Sequence, residues 1–173
     1  MLPPSPVLVL AAVLAAAPAE ASRARPSVER RRDAIARELI RLAGDLRREI
    51  ERKDADAILA RVSPEGLRCS GRVVPRERIA RDLRSDRSWL RGVLFGGPGY
   101  VPPPRTPASL AALFGKGGEV AVVVTFEPDP RAGEVGRPCV DFRVKGSGTP
   151  GAPLCFERKG ERWWFTESLY PCG

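Results

Sequence analysis

Cys139–Lys145 reads CVDFRVK, and Leu154–Tyr170 reads LCFERKGERWWFTESLY. Both stretches alternate apolar and polar side chains, as half-buried strands do. In the first, Val140, Phe142 and Val144 share one face, while Asp141 and Arg143 take the other. In the second, a two-residue turn at Lys159-Gly160 makes a hairpin that sets Phe156 opposite Trp163 and Leu154 opposite Phe165. The apolar face therefore collects Phe142, Phe156, Trp163, Phe165 and Leu169, and the same parity adds Glu167. Asp141, Arg143, Glu157, Trp164, Thr166, Ser168 and Tyr170 fall on the opposite face.

Working outward, Glu119–Glu127 (EVAVVVTFE) is the most apolar strand, and residues 129–138 read as a polar turn. The N-terminal half is helical instead. Ile35, Leu39, Leu42, Leu46 and Ile50 recur at helical spacing within Ser27–Lys53, forming the buried stripe of a long amphipathic helix. Asp54 caps a second helix carrying Ile58, Leu59 and Val62. Ser63–Gly66 is a turn, and Leu67–Val74 is a short strand broken near Gly71. Pro75 opens a third helix with Ile79, Leu83, Leu90 and Leu94, which ends at Gly96-Gly97. A proline-rich loop spans 97–107, and a short helix covers Ser109–Phe114. The fold class is α+β: N-terminal helices packed on a curved antiparallel sheet of four to six strands, in one domain at 22–173.

Residues 1–21 read as a signal peptide. Val7–Ala17 (VLVLAAVLAAA) is too short to span a bilayer, which needs roughly 20 residues. It fits the apolar centre of a secretory signal, with the small-x-small site Ala19-Glu20-Ala21 behind it. The expected destination is the periplasm or the outside of the cell, with no transmembrane anchor.

The cysteines agree with export. Cys69, Cys139, Cys155 and Cys172 make an even set, which suggests two disulfides. The preferred set joins Cys155 to Cys172, which closes a short loop, and leaves Cys69 with Cys139. The competing set is Cys69–Cys172 with Cys139–Cys155. No metal site is expected, because there is no close cysteine pair and the chain has no histidine. That absence also excludes every imidazole-dependent mechanism, including Ser-His-Asp hydrolysis and Cys-His proteolysis. No cofactor motif is present.

The net charge is +8, and residues 22–94 carry 20 basic against 12 acidic side chains. Abundant arginine, alanine, proline and glycine point to a genome-wide compositional bias, so no nucleic-acid partner is expected. Contact with an anionic envelope surface is the electrostatic reading that stays open.

The element order, with Trp89–Phe95 closing the third helix and the terminal Gly160-x-x-Trp163-Trp164-Phe165, resembles the nuclear transport factor 2-like superfamily, which includes ketosteroid isomerases and polyketide cyclases. The resemblance covers about residues 30–171. It implies a cone whose sheet wraps the helices and leaves a pocket at its open end. None of that group's catalytic motifs matches residue by residue.

Two functions follow as expectations. One is an exported, non-catalytic domain that binds a small apolar ligand or a protein partner, with a pocket lined by Phe142, Phe156, Trp163 and Phe165 and with Glu167 as its polar group. The other is a carboxylate-dependent isomerase or lyase using Glu167, whose pKa burial would raise. Export predicts a mature chain starting at Ser22. Mass spectrometry of protein recovered from its native host checks this, and a chain still starting at Met1 refutes it.

Overall fold

Ser27, Asp54 and Ser88 each accept a hydrogen bond from a backbone N–H three residues on, at 3.3, 2.9 and 3.1 Å, and so set the starts of three helices. In this computed structural model, residues 27–69, 71–102, 109–115, 119–144 and 153–167 are described. The signal peptide expected at 1–21, Cys172, residues 168–171 and the expected loop residues 103–107 and 146–152 fall outside them.

Helix α1 (Val28–Glu51) buries Leu39, Ala43, Leu46 and Ile50, with Ile35 and Leu42 packed at the margin of the core. Helix α2 (Ala55–Arg61) follows, then a hairpin of β1 (Leu67–Cys69) and β2 (Arg72–Val74). Gly66 makes that hairpin possible: its φ is +97°, and a Cβ there would lie 2.1 Å from the Val74 carbonyl oxygen. The single third helix expected over residues 76–95 is two, α3 (Arg76–Arg84) and α4 (Trp89–Phe95). The break has a cause in the caps. The Ser85 N–H bonds back to Arg81 and Asp82, and Ser88 then restarts the helix. On α4, Gly92 admits Tyr100 so closely that a Cβ would meet the Tyr100 Cβ at 2.4 Å. Tyr100 packs edge-on against Trp89 at 5.6 Å. Helix α5 (Leu110–Gly115) closes the helical layer.

The remaining strands are β3 (Val120–Glu127), β4 (Arg137–Val144), β5 (Leu154–Lys159) and β6 (Arg162–Glu167). The sheet has six strands in the order β2-β1-β6-β5-β4-β3. It is mixed rather than purely antiparallel, because β1 meets β6 in parallel at Arg68↔Glu167. The α+β class is as expected: α1 packs on β3 and β4, and α2 on β6. Phe142 and Phe156, each 1% exposed, anchor the core between layers. Burying such a side chain contributes about 1.5–3 kcal/mol.

The hairpin turn lies at Gly160-Glu161, one residue beyond the expected place, so Phe156 faces Phe165 and Arg158 faces Trp163. Moving a two-residue turn by one position changes the register by two. Parity survives, and Trp163 still faces the helices.

The preferred cysteine pairing is corrected. Cys139 and Cys155 stand directly opposite each other on β4 and β5, with Cα atoms 4.0 Å apart, and form a disulfide. Cys69 is also disulfide-bonded. The face expected to be polar is covered as well, since Cys139, Asp141, Cys155 and Thr166 are all buried. Peptide mapping of the unreduced protein is expected to recover one fragment joining Cys139 to Cys155. Substituting both by alanine should lower stability by about 2–4 kcal/mol in chemical denaturation.

Candidate functional site

Among the described residues, strands β4 and β5 pair at two positions, Cys139↔Cys155 and Val140↔Leu154. The next position on β4 is Pro138, which has no N–H to donate. Beyond it the strands part, and a 3-10 segment at Pro130–Val135, kinked at Gly133, covers the gap. A cleft of about 310 Å³ opens there. Ile35 of α1, Pro138, Phe156 and Trp163 form its apolar wall. Arg68, Asp129, Arg131, Arg137, Glu157 and Arg158 form its polar rim.

Trp163 is held in place by α1. Its indole Nε1 donates to the Glu38 carboxylate at 2.8 Å. Arg158 donates to the same carboxylate at 3.3 Å and sits over the indole, 5.9 Å from the ring centre. One carboxylate on the helix therefore fixes both the aromatic wall and a cation beside it.

Of the five residues expected to line a pocket, the cleft holds Phe156 and Trp163. Phe142 lies in the packed core, edge-on to Phe114 at 5.0 Å, and Phe165 is buried against Phe156 at 5.8 Å. Glu167 is displaced by a bulge. The hairpin register runs Phe156↔Phe165 and then Cys155↔Glu167, so Thr166 is an extra residue on β6. Thr166 donates from its hydroxyl to the Cys155 carbonyl at 3.4 Å. Glu167 consequently stands opposite Cys155, on the sheet face that carries Cys139. Strict alternation had placed it among the aromatic rings, and one inserted residue removes it from them.

There Glu167 pairs with Arg137 and lies 3.8 Å from Arg68. These contacts belong to a network crossing the sheet. Arg68 also reaches Glu157 at 3.1 Å, and Arg137 also pairs with Glu127 and lies 3.9 Å from Asp129. Asp129 takes a two-pronged bond from Arg131 at 3.0 and 2.9 Å. Bonds from the Arg131 side chain and backbone N–H, with Arg137 nearby, hold the Asp129 carboxyl at about 2, well below its usual 3.8, against an opposing effect of burial. The carboxylates around the cleft are thus engaged with guanidinium groups.

Glu127 lies beside the Cys139 and Cys155 sulfurs, a grouping with metal-ligand geometry. Both sulfurs are committed to the disulfide and are not thiolates, so the grouping does not fit a metal ion. Asp141, 3% exposed, bonds Arg143 at 2.5 Å through Oδ2 and leaves Oδ1 without a partner. Among the described residues no helix is long and apolar enough to cross a membrane.

The alternation pattern missed Arg68, Arg137, Asp129 and Ile35. The available signal was Arg137-Pro138 at the head of a strand, where proline interrupts a ladder and opens a gap beside it.

The low carboxyl pKa has a testable consequence. A carboxyl held below its unfolded value stabilises the fold above that value and stops doing so as pH falls through its folded value. Asp129→Asn is therefore expected to be less stable than wild type near neutral pH. The difference should shrink as pH falls below about 4 and be lost as pH falls through about 2, as read from denaturant midpoints at each pH. A difference that does not change with pH would contradict the assignment.

Compared with protein-family models, curated proteins and solved structures, the chain matches none of them.

Proposed function

We propose that this chain is an exported, non-catalytic domain that binds a small ligand with an apolar body in the cleft between β4 and β5. The observation that carries this reading is the pairing of an aromatic and aliphatic wall, made by Ile35, Phe156 and Trp163, with a rim whose carboxylates are tied to arginines. Apolar walls supply most of the affinity of such a site, and a few fixed polar groups orient the ligand. A general acid or base needs a carboxyl poised near the working pH. Asp129 is held far below it, and Glu167 is paired with Arg137 on the other face of the sheet. That arrangement favours binding over the isomerase or lyase alternative.

Export is part of the same proposal. The Cys139–Cys155 disulfide is compatible with an oxidising compartment. The resemblance to the nuclear transport factor 2-like superfamily also stays a proposal, supported by the order of helices and strands.

The probe for the test is 8-anilinonaphthalene-1-sulfonate, which has an apolar ring system and one anionic group. Its fluorescence is expected to rise to single-site saturation and to quench Trp163 emission. Ala132→Phe places a ring in the cleft from the partly exposed 3-10 segment and should weaken binding at least about tenfold, equal to ~1.4 kcal/mol. Unsaturable binding, or equal binding by Ala132→Phe, would refute the site.

A further inference from the structure

Along α1, the side facing away from the core is made of arginines. At 100° per residue, the buried Leu39, Ala43, Leu46 and Ile50 centre on one direction. Arg30, Arg37, Arg41, Arg48 and the C-capping Arg52 point the opposite way, within an arc of about 60°. All five are exposed. At 1.5 Å per residue they form a straight ridge about 33 Å long.

Of the six acidic residues of α1, three are engaged away from this ridge. Glu38 serves Arg158 and Trp163, Glu49 pairs with Arg61 on α2, and Glu51 pairs with Arg47. Asp45 alone reaches a ridge member, Arg48. Glu29 and Asp33 flank the N-terminal end of the ridge without pairing with it among the described residues. Arg30, Arg37 and Arg41 make no ion pair among the described residues. In the sequence, acidic residues interleave with the arginines throughout the helix. In the fold, pairing draws three of those six acids away and leaves the five cations on the outer side.

Beside the ridge, Ile40 is half exposed, one of only three large apolar residues so placed among the described residues. We propose that α1 lies flat on an anionic phospholipid surface, with the five guanidinium groups on lipid phosphates and Ile40, about 90° round the helix from the ridge centre, at the flank of that contact. A straight cationic row matches a planar array of phosphates, and guanidinium groups bind phosphate in two-pronged fashion. Helices that lie in the membrane interface combine a basic stripe with apolar side chains that dip below the headgroups. A nucleic acid would satisfy the arginines and offer Ile40 nothing comparable. This surface is separate from the β4–β5 cleft, so the two proposals stand or fall independently.

The test is co-sedimentation of the full chain with vesicles of phosphatidylcholine alone or with about 30% phosphatidylglycerol, enough anionic lipid to set up a negative surface potential. Residues 7–17 are apolar and could insert by themselves, so the reading is the excess binding to anionic over neutral vesicles, compared among variants that share this segment. Wild type should bind the anionic vesicles with an excess that disappears at about 0.5 M salt, where screening is nearly complete over a few ångströms. Arg37→Glu with Arg41→Glu should weaken that excess by at least about tenfold. Arg81→Glu with Arg87→Glu changes the net charge equally at exposed sites off the ridge and should weaken it less than about twofold. Circular dichroism checks folding, and Arg30→Gln with Arg41→Gln is a milder pair that should give a smaller loss in the same direction. Equal losses for both glutamate pairs would overturn the ridge in favour of bulk charge. Binding that ignores salt would overturn it in favour of residues 7–17. Duplex DNA stripping the protein from vesicles at matched phosphate concentration would overturn the lipid assignment in favour of nucleic acid.

Discussion

Strands β4 and β5 stay paired over Cys139↔Cys155 and Val140↔Leu154, and a covalent bond joins the first of these pairs. On one side of that joint Pro138 offers no donor and the strands separate. On the other side Val140, Phe142 and Leu154 continue into the packed core. The disulfide therefore stands at the boundary between a dry interior and an opening. Without it, the two paired positions would have to resist the spreading of strands held apart by Pro138 and the 3-10 segment. The cleft, its aromatic wall and the charged network around it all take their positions from this joint.

The network has a second role in the sheet. Glu157, Arg68, Glu167, Arg137 and Glu127 come from five different strands and, linked in that order, alternate in sign. Such pairs contribute modestly one by one when partly exposed. Linked together across a parallel junction and a widened seam, they hold strands where backbone hydrogen bonds are sparse. Among the described residues β1 meets β6 at one ladder position, Arg68↔Glu167, and the side chains of that pair are themselves close.

Much of this was legible in the chain. The helix stripe, the cap at Asp54 and the face of Trp163 follow from periodicity and from a side chain with an obvious donor to satisfy. The hairpin parity tolerated a misplaced turn, because sliding the turn by one residue shifts the register by two. Glu167 was misplaced for the complementary reason. A bulge adds one residue to one strand, and alternation carries no mark of it; Thr166 is as ordinary a strand residue in sequence as its neighbours. The break between α3 and α4 was visible in Ser85 and Ser88, yet a single apolar periodicity running through Leu83, Leu90 and Leu94 concealed it. The preferred disulfide set failed because loop length was weighed without the β4–β5 register, which alone brings Cys139 and Cys155 together.

The order β2-β1-β6-β5-β4-β3 has a consequence for how the chain assembles. Among the described residues, the last strand in sequence is the one that joins the β1–β2 hairpin to the β3–β5 half. Until Arg162–Glu167 has been synthesised, the sheet exists only as two separate pieces, and α2 lacks the strand it packs on. Closing it requires Arg68 to find Glu167 across most of the chain's length, a contact of high sequence separation that carries a large loop-closure entropy. Closure of the sheet therefore waits on β6, and a ribosome-bound chain stopped before β6 would expose Phe156 and the surfaces of both half-sheets to water.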